Sequence, residues 1–235
     1  MKAGVRLPLR GETSEHAATA VKKRRRRDPV GTRELILEAA REVLSQDGKE
    51  GLSVSAVAQR AGVNRGTAYQ HFQTREQLIE ATAAWVSNKL YEAVFGDVVT
   101  DSTHPVESIN AQTITDRVIE FAMENPALAR VWLFELLSSP DPADDRFWRQ
   151  YESNFAQFAK TGFAQSGIDV EVASVISLAG AFLWPVWVQA HARNAKERQQ
   201  LAQRFSHEQL RMSLRGTMRA EKYPELEARI ANGKR

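Results

Sequence analysis

Cysteine is absent from the 235 residues. With it go disulfides, thiolate nucleophiles and Cys-ligated zinc, and nothing points to an oxidising compartment. The local signatures of common enzyme classes are missing too: there is no HExxH, no GxSxG, no GxGxxG and no GxxxxGK[ST]. The five histidines, His16, His71, His104, His191 and His207, are scattered along the chain. No catalytic residue, metal site or cofactor is therefore expected, and the chain reads as a non-enzyme. The opening MKAGVRLPLR lacks the apolar run of a secretory signal, which makes the cytoplasm the expected location. Neither a strand-like alternation nor an internal repeat is visible, so an all-α fold is expected.

What is present is ordinary for a globular protein: 43% hydrophobic and 26% charged residues, enough to build a sizeable core in one or two domains. The formal net charge of +3 is unevenly spread. Residues 1–27 carry nine Lys/Arg, six of them within Lys22–Arg27, and two acids, a net +7 that leaves −4 for the rest. Lacking any periodicity, this segment reads as a disordered basic tail. It is suited to a polyanion such as nucleic acid, or equally to no specific role. One stretch, Val172–Ala190, runs 19 residues without a formal charge. As a helix it would be about 28 Å long, near the thickness of a bilayer core. Ser174, Ser177, Pro185 and Gln189 within it, and amphipathic helices on either side, favour a buried helix of a water-soluble core, with no membrane partner.

Helical spacing dominates what lies between. Ile36, Ala39, Ala40, Val43 and Leu44 form one face of a first helix that Asp47–Gly48 ends. Ser53 caps a short second helix running to Ala61, Gly62 closes it, and Asn64 caps a third that runs to about His71. Thr74 and Gln77 form a capping box for a long fourth helix reaching about Phe95. A loop is expected over 96–112. Helices follow at Ile114–Met123, Leu128–Leu137, Ala143–Ala164, Val170–Arg193 (kinked at Pro185), Ala195–Met218 and Pro224–Ala231.

The stretch Ser53–Phe72, two short helices joined by a glycine-containing turn, has the helix-turn-helix pattern. Val57, Ala58, Val63 and Ala68 face its interior. From Ser53 to Arg75 there are three cations, Arg60, Arg65 and Arg75, and no acid, although the flanking helices are rich in Glu. Residues 32–80 resemble the DNA-binding domain of the TetR family of bacterial repressors. The resemblance lies in Ile36 and Ala40, Gly48, Val57-Ala58…Ala61-Gly62-Val63, Gly66-Thr67…Tyr69-x-His71-Phe72 and Thr74-Arg75-x-x-Leu78. It implies that the third helix enters the major groove of duplex DNA. By position, Tyr69, His71 and Arg75 would hold phosphates. Arg65, Gly66, Thr67, Gln70 and, from the second helix, Ser55 would lie near base edges, where Arg65 can read guanine and Gln70 adenine.

The resemblance also implies a homodimer joined through the last two long helices. Small residues at Ser177 and Ala181, with Val188, Leu201 and Phe205 as bulk, form the expected interface or, alternatively, intramolecular core. The middle helices would hold a small hydrophobic or aromatic effector of unknown identity against Phe121, Trp132, Tyr151, Phe155, Phe182 and Trp184, although an aromatic stripe on helices is more often core than pocket. The expected partition is a basic tail over 1–27, a three-helix DNA-binding domain over 28–75, and a helical effector-binding and dimerisation domain over 76–235. The expected function is a DNA-binding transcriptional regulator, a repressor released from a palindromic operator by its effector. The alternative is a helical membrane-associated or scaffold protein that binds no DNA.

Overall fold

The computed structural model describes residues 29–99 and 111–232; the basic tail and positions 100–110 of the expected loop fall outside them. Among the described residues there are ten α-helices and no strand. The DNA-binding candidate comprises α1 (Pro29–Gly51), α2 (Val54–Arg60) and α3 (Arg65–His71). It leads into α4 (Arg75–Val99), α5 (Ala111–Glu124), α6 (Pro126–Ser138), α7 (Arg146–Ala159), α8 (Val170–His191), α9 (Ala195–Gly216) and α10 (Pro224–Asn232).

The boundaries follow local chemistry where the signals are local. Gly48 takes φ 70°, a left-handed conformation that ends the regular part of α1. The positions expected to be loop at 96–99 and 111–112 are helical, the ends of α4 and α5. α8 continues through Pro185 without a break. α7 is shorter at both ends than its apolar spacing suggests. A single 3-10 turn occupies Pro142–Asp144, and Asp145 is extended so that its carboxylate accepts from the Trp148 amide at 2.9 Å, which starts the helix there. Beyond Ala159 the backbone turns to meet the segment after α9. Gln165 N–H donates to the Thr217 carbonyl (2.9 Å) and Arg219 N–H to the Phe163 carbonyl (2.8 Å), an antiparallel bridge centred on Ala164 and Met218. The same bridge ends α9 at Gly216, two residues before the expected Met218.

A continuous apolar core runs from Ile36 and Leu37 of α1 through Val57, Ala58 and Ala68 to Leu78 and Val86 of α4, and on to Trp132, Phe147 and Phe182. No gap in packing marks the expected boundary at Arg75, so α4 belongs to both halves. A second, small core of Leu210, Leu214, Met218 and Leu226, flanked by Phe158 and Tyr223, seats α10 on α9. Arg229 of α10 also reaches Asp116 of α5 at 3.8 Å.

Candidate nucleic-acid interface

The reading head is assembled by short-range bonds. Ser53 Oγ accepts from the Ala56 amide at 3.1 Å and starts α2. At its other end Gly62, at φ 65°, lets the chain close a Schellman arrangement. Gly62 N–H donates to the Gln59 carbonyl (3.2 Å) and Val63 N–H to the Ala58 carbonyl (3.0 Å). Asn64 Oδ1 then accepts from the Gly66 amide at 2.8 Å and starts α3. A side-chain carbon at Gly66 would sit 3.2 Å from that same oxygen, so this glycine relieves crowding at the cap. Val57, Ala58 and Ala68 are completely buried between the helices, and Phe72 closes the junction beneath the Arg33 guanidinium, 5.2 Å from the ring centroid.

What remains outward on α3 is the set expected to meet DNA. Arg65, Gly66, Tyr69 and Gln70 are exposed, while Thr67 and His71 are half-buried. The Tyr69 hydroxyl lies 3.4 Å from Ser55 Oγ, bringing the two expected contributors of α2 and α3 together. Arg75, at the start of α4, donates from Nε to the Leu52 carbonyl at 2.8 Å, a bond that fixes the direction of its guanidinium. The third cation of the acid-free run is placed differently. Arg60 folds back onto α1, donating to Gln46 Oε1 (2.5 Å) and lying 3.8 Å from Glu42. The Thr74 cap forms as expected, the Gln77 amide donating to Thr74 Oγ1 (3.1 Å). The reciprocal bond goes one residue further back, to the Gln73 amide (2.8 Å), rather than to that of Thr74.

α4 carries this head on two sets of bonds that the sequence did not flag. Toward α1, Trp85 Nε1 donates to Glu34 Oε1 (2.7 Å) and Lys89 pairs with the same oxygen (3.5 Å). Toward α6 and α7, the Asp145 carboxylate accepts from Ser87 Oγ (2.8 Å), Trp132 Nε1 (2.9 Å) and the Trp148 amide (2.9 Å). Ser87 Oγ in turn accepts from the Phe147 amide at 3.1 Å. Asp145 falls inside the helix expected from Ala143; that its carboxylate caps α7 and joins three helices depends on packing.

The family model described as bacterial regulatory proteins, tetR family, matches residues 36–82, which contain all of α2 and α3 and the start of α4. The match is confined to this N-terminal segment, which is similar to that family's. Among curated relatives, the nucleoid occlusion factor SlmA of Marinobacter nauticus is 27% identical over 142 residues, 58% of this chain and 70% of that protein. An HTH-type transcriptional regulator of Saccharopolyspora erythraea is 29% identical over 162 residues, 66% of this chain and 63%, under two thirds, of its own length. The solved structure of the TetR family protein CprB from S. coelicolor A3(2) aligns with a TM-score of 0.53 at 21% identity, covering 87% of this chain and all of that one. That likeness is one of fold.

The expected effector residues divide into separate places. Trp132 and Phe182 are fully buried and meet edge to face at 5.0 Å; Phe147 joins Trp132 (5.4 Å) to Tyr151 (5.8 Å). Phe121 packs half-buried against the same core. Phe155 pairs instead with Phe158 at 6.1 Å, and Trp184 stacks on Phe205 of α9 at 5.4 Å while donating to the Leu201 carbonyl (3.1 Å). Burial pushes the Tyr151 hydroxyl up to a pKa of about 12, against the opposing effect of its hydrogen bond with Ser177.

The expected dimer residues face largely into their own protomer. Ala181 and Val188 are only 4% and 1% exposed within one protomer, and Ser177 faces Tyr151. Phe205 lies 3.6 Å from where a Gly180 side chain would begin, so Phe205 and Leu201 line the seam between α8 and α9 of the same chain. The side of α8 turned outward is Val172, Ile176, Leu183 and Trp187, 45–61% exposed and spaced to share one helix face.

Proposed function

We propose that this chain is a sequence-specific transcriptional repressor that binds a palindromic operator as a homodimer and leaves it when a small hydrophobic or aromatic effector binds the α4–α8 domain. The observation that carries the DNA reading is the outward face of α3. Arg65, Tyr69 and Gln70 stand exposed on a helix capped at both ends, and the run from Ser53 to Arg75 contains no carboxylate to repel phosphate. Tyr69, His71 and Arg75 serve the backbone, and Ser55, Arg65, Gly66, Thr67 and Gln70 lie toward the bases.

The dimer is supported by the apolar face of α8. Four large side chains in line, each about half exposed, form the kind of patch that marks an interface. One short recognition helix touches too few bases for operator affinity, and a twofold partner doubles the contact. α8 is also the one described helix long and apolar enough to cross a membrane. Its opposite face, Ser174, Leu178, Ala181, Phe182, Pro185 and Val188, is buried inside the protomer, which supports a domain helix rather than a lone span. Release requires an effector that favours a conformer whose two recognition helices no longer match successive grooves. α4, bonded to Glu34 on one side and Asp145 on the other, is the element that transmits it. Selection of bound fragments from genomic DNA by the purified chain tests this reading: enrichment of one palindromic sequence supports it, and recovery of random fragments contradicts it.

A further inference from the structure

We propose that the DNA contact continues past α3 along the N-terminal edge of the reading head, where Arg33 holds a phosphate and the run Lys22–Arg27 follows the minor groove beside it. The proposal rests on the DNA reading above and adds a contact outside the bases that α3 reads. Arg33, near the start of α1, is exposed, and its guanidinium lies over the Phe72 ring, 5.2 Å from the centroid. Phe72 is the C-terminal cap of α3, and the His71 ring lies 6.3 Å from the same ring. One aromatic side chain therefore neighbours both an expected phosphate ligand of α3 and a cation of α1. Phosphates recur along each strand about every 3.4 Å of duplex axis, so a strand held at His71 has further charges for Arg33. The stack on Phe72 fixes the guanidinium without neutralising it. Other cations around the head are spent on carboxylates: Arg41 pairs with Glu38 at 2.6 Å, and Arg60 lies 3.8 Å from Glu42.

Charge balance explains why the head needs this edge. Residues 28–235 sum to −4, and the proposed interface around α3 offers only Arg65, Arg75 and the half-buried His71 as positive groups. Electrostatic affinity grows with the number of phosphates neutralised, so that set alone works against a repelling body. The six cations of Lys22–Arg27 lie outside the described residues, but the place where they join the head does not. Asp28 alone separates Arg27 from Pro29, and Pro29 precedes Arg33 by one helical turn, about 6 Å along the axis. Six extended residues span about 20 Å. Half a turn of duplex, the step from a major groove to the next minor groove, is about 17 Å. The run is thus long enough to pass from the edge of α1 into that groove. A narrow A·T-rich minor groove concentrates negative potential and draws in arginine, and the run ends in four arginines, Arg24 to Arg27.

Three full-length variants separate the parts: Arg33→Gln, Arg33→Lys, and one with all six residues of Lys22–Arg27 changed to Gln. Each is titrated beside the parent, over a range of salt, with the palindromic duplex recovered by selection and with a random duplex. The palindrome is built in two forms, with A·T-rich or G·C-rich flanks. The parent is expected to favour the A·T-flanked form by about tenfold. The six-fold Gln variant should lose that preference and flatten the plot of log affinity against log salt by about 3 or more per protomer. Arg33→Gln should flatten it by about 1 per protomer and keep the flank preference, and Arg33→Lys should restore the parent slope. Equal affinity of the parent for both flanks, or an unchanged slope in the six-fold Gln variant, would overturn the minor-groove contact. An unchanged slope in Arg33→Gln, or an equal fall in Arg33→Gln and Arg33→Lys, would overturn the phosphate contact, the second result assigning Arg33 to packing on Phe72. In each of these cases a parent that still prefers the palindrome to the random duplex leaves the DNA reading intact. A parent that binds no duplex would overturn both.

Discussion

Arg65 and Arg75 are both cations near α3, yet their settings assign them different work. Arg75 is held by its bond to the Leu52 carbonyl, and in the proposed function it holds a phosphate. Arg75→Ala should weaken binding to all duplexes alike and flatten the plot of log affinity against log salt by about 1. Arg65, exposed in the first turn of α3, should instead set one base. Arg65→Ala is expected to cost about 1–3 kcal/mol on the preferred operator and to relax preference at a single position in a substitution series. Tyr151 supplies a different prediction, in pH. Its folded pKa of about 12 lies above its ordinary value of 10.0, so the folded chain holds a proton that the unfolded chain releases. The stability from this group is fully present below pH 10 and is lost as pH rises toward 12. Alkaline unfolding curves should show that fall in the parent and a shallower one in Tyr151→Phe; identical curves would mean that the hydroxyl is open to water.

Between elements, Asp145 is the group whose loss should be felt furthest. Asp145→Asn retains one acceptor oxygen but turns an amide toward donors, leaving one of Ser87, Trp132 or the Trp148 amide unpaired. The expected cost is about 1–3 kcal/mol, read as a lower urea midpoint with an unchanged slope. The helices that the sequence placed correctly are those ended by neighbours in the chain. Ser53, Gly62, Asn64 and Thr74 each act within four residues, so α2, α3 and the start of α4 could be read directly. The end of α7 could not be read this way. It is cut short at Ala159 because residues 163–165 pair with 217–219, and no pattern inside 143–164 encodes that distant partner. α8 hid its facing for another reason. It is apolar on nearly every side, so hydrophobic spacing could not tell which face α5, α6 and α7 would cover. Ala181 and Val188 went inward, and Val172, Ile176, Leu183 and Trp187 went outward. The double role of Asp145 was equally hidden, because it depends on which side chains packing brings alongside.

For the whole molecule, the outward stripe of α8 and the reading head are parts of one device only if two protomers join. Ile176→Asp, placed where exposure is 61%, should leave helical content intact and split the proposed dimer in sedimentation, taking high-affinity operator binding with it. A variant that remains dimeric would place the interface elsewhere. The most direct test of the central claim is the mass and affinity of the complex formed by the parent chain on its selected palindromic duplex, beside a scrambled duplex at physiological salt. Two protomers per palindrome, with a preference over scrambled DNA of about a thousandfold or more, is the expected result. A monomer with the same weak affinity for both duplexes, or with none for either even at low salt, would contradict the claim.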